Sequence, residues 1–132
     1  MSLERKYFKS EYNYEGFSKL HPKMQEVAKF AIDTALSLDI TEPVITETLT
    51  TKEIDKALGR VSSSHSEGRA IDFRTWNLEE YQLKDLYRIL NAEYKHIGAI
   101  TKLGTRQLVV FHDIGRGPHF HIQLDRRFAV EI

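Results

Sequence analysis

The chain contains no cysteine. That absence excludes a disulfide scaffold, a thiolate metal site, an iron–sulfur cluster and a cysteine nucleophile. It carries no excess charge: nineteen Lys and Arg balance nineteen Asp and Glu. A nucleic-acid partner held by net positive charge is therefore not expected. No apolar run approaches the roughly 20 residues a membrane span needs. The start, Met1-Ser2-Leu3-Glu4-Arg5-Lys6, lacks the apolar stretch of a secretory leader. The expectation is a protein made in the cytoplasm, with no membrane span. Repeats and low-complexity segments are absent too.

What is present suits one domain over residues 1–132. The 132 residues are 41% hydrophobic and 29% charged, and a chain of this length buries about two thirds of its unfolded surface. Residues 1–20 read as an arm whose aromatics, Tyr7, Phe8, Tyr12, Tyr14 and Phe17, pack on the domain. His21-Pro22 opens a helix, with Pro22 in its first turn and Met24, Val27, Ala31, Ala35 and Leu38 on one face. Residues 44–49, Val-Ile-Thr-Glu-Thr-Leu, read as a strand. Thr50 with Glu53, and Asn77 with Glu80, have the spacing of capping boxes for two further helices. The second would bury Leu83, Leu86, Tyr87 and Leu90. A strand is expected at Ala70–Arg74, and three more at 94–101, 107–112 and 119–124, with Gly104 and Gly115-Arg116-Gly117-Pro118 at the turns. Helices come early and strands late. The predicted class is α+β: an antiparallel sheet with helices packed on one face.

Alternation on two of these strands gathers polar groups. Ile71 and Phe73 face one way, and Ala70, Asp72 and Arg74 the other. Phe120, Ile122 and Leu124 face one way, and His119, His121 and Gln123 the other. If the two strands are neighbours, Asp72, His119 and His121 share the open face, and His65 folds over Asp72 from the preceding loop. Two imidazoles and one carboxylate make a three-ligand set for a catalytic zinc, with a fourth position left for water. His96 and His112 read instead as packing or edge residues on apolar strands. Ser63 reads as a loop-forming hydrogen bonder. Trp76 and Tyr81 read as residues at the start of the adjacent helix rather than cleft residues.

Ser63-Ser64-His65-Ser66-Glu67-Gly68-Arg69-Ala70-Ile71-Asp72 satisfies SxHxxGxAxD at every fixed position. At average residue frequencies, chance alone yields such a match in on the order of one chain in ten thousand. The segment resembles the zinc peptidases of the D-alanyl-D-alanine carboxypeptidase and L-alanyl-D-glutamate endopeptidase family, which includes many phage endolysins and shares its core with the hedgehog signalling domain. Leu20-His21-Pro22-Lys23-Met24 resembles the opening of the phage-type members. Residues 44–49 stand where the family has its "GyR" strand, and Gly117-Pro118-His119-Phe120-His121 resembles its closing segment.

The resemblance implies a hedgehog-like fold, one zinc ion, a peptidoglycan stem peptide as substrate and hydrolysis of an amide bond. It implies His65 and Asp72 as ligands, with His119 or His121 as the third. His121-Ile122-Gln123-Leu124 continues like the family's ligand strand, so His121 is taken as the ligand and His119 as a neighbour that steers water or holds an oxyanion. The family's acidic base, three residues before the last ligand, falls here on Pro118, or on Arg116 if His119 is the ligand. Asp113 and His119 are the candidate bases. The family's substrate-clamping arginine aligns with Thr50, leaving Arg69 and Arg74 as candidates for that role. The alternative reading is a zinc-bearing binding or structural module on the same fold, without catalysis.

Overall fold

The computed structural model describes residues 3–60, 62–112 and 117–130. Its helices are α1 (Glu11–Phe17), α2 (Pro22–Ser37), α3 (Lys52–Ala57) and α4 (Glu80–Tyr94). Its strands are β1 (Ile45–Glu47), β2 (Ala70–Arg74), β3 (Ala99–Ile100), β4 (Arg106–Gln107), β5 (Val109–His112) and β6 (His119–Gln123). Four strands form an antiparallel sheet in the order β1-β2-β6-β5, and β3 and β4 form a separate antiparallel pair. The class is α+β. Among the described residues, no helix is long and apolar enough to cross a membrane.

The core follows from two periodicities. On α2, Met24, Val27, Ala28, Ala31, Ile32 and Ala35 recur at helical spacing and are buried. On α4, Leu86 and Leu90 are buried and Leu83 and Tyr87 half-buried. The sheet answers with every second residue: Ile71 and Phe73 from β2 lie opposite Ile122 and Phe120 from β6, all buried. Helices α2 and α4 pack on each other and against this face, leaving the odd-phase residues of the sheet on its other side.

The first twenty residues are more structured than an arm. Ser10 caps α1 by accepting from the Asn13 N–H at 3.2 Å. Phe8 bridges β1 in parallel, and the Lys9 N–H donates to the Ile45 carbonyl at 3.0 Å, so this segment covers the sheet edge. Phe8, Phe17 and Leu20 enter the core.

Strand β1 is irregular. Ile45 lies opposite Phe73, but Glu47 lies opposite Asp72, so one extra residue is accommodated between them. This bulge reverses the alternation. Ile45 points into the core, whereas Glu47 comes round to the face that carries Asp72.

Several boundaries differ from the sequence-based expectation. Thr51, not Thr50, caps α3, accepting from the Ile54 N–H at 3.1 Å. Thr50 is buried and donates to Asp55 Oδ1 at 2.8 Å. At α4 the reciprocal pair is Glu79 with Gln82, while the Asn77 amide reaches back to the Glu42 carbonyl at 3.1 Å. The expected strand at 94–101 is mostly helical. Tyr94 ends α4, Lys95–Ile97 form a 3₁₀ turn, and only Ala99–Ile100 pair as a strand. Leu90, Tyr94 and Ile97 continue the spacing of three to four that α4 already uses, which outweighed the β-branched content. His96 is therefore an exposed turn residue rather than a strand residue. The expected strand at 107–112 is split around Leu108, whose N–H is taken by Asn91 Oδ1 at 2.9 Å.

Candidate metal centre

The loop before β2 is shaped by its backbone. Glu67 N–H donates to the Ser63 carbonyl at 2.9 Å, Gly68 N–H to His65 at 3.1 Å and Arg69 N–H to Ser64 at 3.1 Å. Gly68 has φ +69°, a left-handed conformation that glycine adopts without strain. Its carbonyl accepts from the His21 N–H at 2.9 Å, tying the loop to the start of α2. Ser63 thus contributes as expected to loop closure, through its carbonyl, which also accepts from Ser66 Oγ at 3.0 Å. The turn folds His65 back over the sheet and buries it.

Strands β2 and β6 bring in the other two groups. The Leu124 N–H donates to the Arg69 carbonyl at 2.8 Å. Counting in twos from that bonded pair, Asp72–His121 and Arg74–His119 are non-hydrogen-bonded pairs, whose side chains stand closest in an antiparallel ladder. Asp72 Oδ1 is 3.0 Å from His121 Nδ1 and 3.3 Å from His65 Nε2. Ligand atoms of His65, Asp72 and His121 all lie within 4.8 Å of one another.

Each ring is oriented from behind. His65 Nδ1 is 3.0 Å from the Thr48 carbonyl, which can only accept, so Nδ1 carries a proton; Nε2 faces Asp72, donating to the carboxylate while the imidazole is charged and offering its lone pair when a metal ion stands between them. His121 Nε2 is 2.7 Å from Gln123 Oε1, which accepts from it, so Nδ1 is the nitrogen that faces Asp72 and would carry the lone pair for a metal ion. His112 stacks on His121, ring centroids 5.1 Å apart and planes 12° apart. Two donors held about 2.0–2.2 Å from a tetrahedral ion of zinc's size stand roughly 3.3–3.6 Å apart. The two contacts to Asp72 are within a few tenths of an ångström of that spacing, and the donors are two imidazole nitrogens and a carboxylate. The cluster fits a divalent metal ion.

Electrostatics point the same way. Burial pushes the Asp72 carboxyl up, but the hydrogen bonds and charges of His121 and His65 hold it well below the usual carboxylate range. Burial pushes the His65 imidazole down, but the hydrogen bond and charge of Asp72, helped by Glu47 and the Thr48 carbonyl, raise it above the usual imidazole value. Anionic Asp72 is therefore the attracting centre of the cluster. At His112, burial and the neighbouring His121 and His119 push the imidazole below its usual value.

The structure sorts the remaining candidates. His119 stands beside the cluster, with Nε2 3.8 Å from Asp72 Oδ2 and Nδ1 3.2 Å from the Gly117 carbonyl. It is outside the three that meet within ligand distance. Asp113 lies outside the described residues. Arg69 is tied to Glu67 Oε1 at 2.8 Å and to the Leu124 carbonyl at 2.9 Å, so it holds the loop to β6. Trp76 is a cleft residue after all: it lines an open groove with Glu47, Arg60, Asp72, Arg74 and His119.

Two groups were missed in the sequence. Gln123 was recognised only by its face, and its role depends on the i+2 reach to His121. Arg60 lies in the loop before the motif. Its guanidinium meets both oxygens of Glu47 and, at 3.1 Å, Asp55 Oδ1, a fork–fork arrangement that no spacing rule announces.

The role of Gln123 gives a direct expectation. Gln123→Leu removes the acceptor that fixes the His121 tautomer, and losing such an outer partner typically costs 10–100-fold in metal affinity. A metal titration followed by calorimetry should find that loss with circular dichroism unchanged. Unaltered affinity would mean that packing against His112 alone orients the ring. Comparison of the chain with protein-family models, with curated proteins and with solved structures returns no match.

Proposed function

We propose that this protein is a zinc metallopeptidase that hydrolyses an amide bond in a peptidoglycan stem peptide. The observation that carries the reading is the convergence of His65 Nε2, Asp72 Oδ1 and His121 Nδ1, with the outer ring nitrogens already engaged, beside an open groove. Two neutral imidazoles and one carboxylate, leaving a position open, suit catalytic zinc better than the oxygen-rich shells of calcium or magnesium. The substrate class, and a hedgehog-like core, rest on the resemblance of residues 63–72 and 117–121 to the carboxypeptidase and endopeptidase family.

A zinc ion held there supplies a Lewis acid for the amide carbonyl and acidifies water. His119 provides the proton path. Its Nδ1–H donates to the Gly117 carbonyl, which leaves the Nε2 lone pair on the side of Asp72. That nitrogen takes a proton from the attacking water and returns it to the leaving amine as the C–N bond breaks. Between those transfers the imidazolium lies beside the developing oxyanion.

One observation favours the non-catalytic module. Among the described residues lining the groove, the carboxylates are Asp72 and Glu47, and both oxygens of Glu47 are held by Arg60. The two readings part on a digestion. Zinc-loaded protein is incubated with purified peptidoglycans of several stem-peptide types, and released fragments are identified by mass spectrometry. New amine and carboxyl ends within the stem are expected, and His119→Ala should slow their release about 10²–10⁴-fold while keeping its zinc. If the zinc-loaded wild type releases nothing from any of them, the binding module stands in the peptidase's place.

A further inference from the structure

Resting on the peptidase reading, we propose that Trp76 is a stacking platform for a pyranose ring, so that the groove takes stem peptides still joined to their glycan in preference to free peptides. Trp76 is the single tryptophan of the chain, and it is 68% exposed. The groove it lines is also lined by Asp72 of the metal cluster and by His119 beside it. One ligand can therefore lie on the indole and reach the cluster.

The backbone holds this exposed ring in place. Arg74 ends β2 and donates its N–H to the Val44 carbonyl at 2.9 Å. Thr75 is buried, and its carbonyl accepts from the Leu78 N–H at 3.1 Å, which closes a turn with Trp76 at the second position. The Asn77 amide is tied to the Glu42 carbonyl at 3.1 Å. The neighbours of Trp76 on both sides are thus anchored, while its own side chain stands in solvent. The Arg74 guanidinium carbon lies 5.1 Å from the indole centroid and supports the ring from one face. Tryptophan offers a large rigid area with few torsions to fix, so a ligand that settles on it costs little ordering.

The rest of the groove says what kind of ligand lies there. A pocket for an aliphatic or aromatic side chain of a peptide is enclosed by several apolar walls. Here Pro118 is the other apolar side chain among the described lining residues, and Lys9, Thr46, Glu47 and Arg60 surround it with polar groups. The groove thus offers one flat apolar surface within a border of donors and acceptors. Lys9 and Thr46 supply donors. Glu47 supplies acceptors: a carboxylate has about four lone-pair sites, and Arg60 takes one on each oxygen. A pyranose has the matching shape, with C–H groups over its face and hydroxyls, each both donor and acceptor, around its edge.

The test separates sugar binding from cleavage. Soluble glycan strands of peptidoglycan, freed of their peptides by an amidase, are titrated into the zinc-loaded protein. They contain no stem-peptide bond, so nothing can be hydrolysed during the titration. Trp76 is the only indole, and its emission should shift saturably to the blue. Calorimetry should find binding weakened about 10-fold or more in Trp76→Ala, as for other flat rings stacked on an aromatic side chain, and partly kept in Trp76→Phe. Zinc content and melting temperature should be unchanged. In a second arm, kcat/KM is compared for a disaccharide-linked tetrapeptide and for the lactyl-tetrapeptide, which keeps the linking amide and lacks both sugars. The linked form should be favoured about 10-fold, mainly through KM, and Trp76→Ala should bring the two within about twofold. No binding of the strands, an unmoved emission, or binding kept in full by Trp76→Ala would each overturn the assignment. Equal kcat/KM for the two peptides would overturn it and leave the peptidase reading intact. Strand binding that depends on Trp76, in a protein that cleaves nothing, would keep the platform and remove the peptidase.

Discussion

Asp72→Ala should abolish stoichiometric metal binding. Asp72 is the one group that touches both imidazoles of the cluster, and its anionic form is what draws a cation between them. Calorimetric titration with zinc should find close to one ion per chain in the wild type. Asp72→Ala should show an affinity loss beyond the 10–100-fold expected for an outer partner such as Gln123. Thermal melts give a second readout. A ligand present at 100 times its Kd stabilises the native state by about 2.7 kcal/mol, which for a domain of this size is roughly 10 °C in Tm. Zinc should raise the wild-type Tm by about that much and leave Asp72→Ala and His65→Ala unmoved. Full occupancy in both variants would remove the site.

Phe120→Ala should destabilise the fold by about 3–5 kcal/mol, through lost burial and the cavity left behind. Phe120 lies opposite Phe73 on β2 and Phe111 on β5, and its ring centroid is 6.0 Å from that of Tyr87 on α4. It therefore joins three strands to a helix. Urea unfolding followed by fluorescence or circular dichroism measures the loss. Trp76→Ala is the contrast, since an exposed side chain away from the core should change stability by no more than about 0.5 kcal/mol. The prediction also tests register. His119 and His121 face the groove only if Phe120 faces the helices, because a slip of one residue exchanges the two sets. A loss well under 2 kcal/mol would mean that the phase of β6 is wrong.

The half of the site built on regular alternation could be read from the chain. Asp72 and His121 needed only a period of two on each strand and the pairing of those strands. His65 needed a turn closed by a left-handed glycine, which Gly68 marks. The sheet and the two long helices were equally legible, because their apolar positions repeat at one period over many residues. Segments where two periods compete were harder. Residues 94–101 satisfy both a helix and a strand, and the helix already under way at Leu90 extended through Tyr94. Caps were misplaced by one or two residues, because Thr50 and Thr51 offer the same hydroxyl and only the fold decides which one is buried. Long-range partners were invisible. The guanidinium of Arg60 on Glu47, the imidazole of His112 on His121 and the indole of Trp76 under Arg74 depend on how distant segments meet in space.

The bulge in β1 has a consequence of a different kind. It makes the polarity of the groove a matter of counting rather than of chemistry. Were residues 45–47 paired without the bulge, Glu47 would stand two residues from Ile45 in a regular strand, follow its parity and turn toward the hydrophobic layer beneath the sheet. Arg60 would then keep only Asp55 of its two counter-ions, without any charged residue having been replaced. Whether the extra residue beside Thr46 stays in the bulge therefore decides which ligands the groove admits, while every side chain around the metal cluster stays the same.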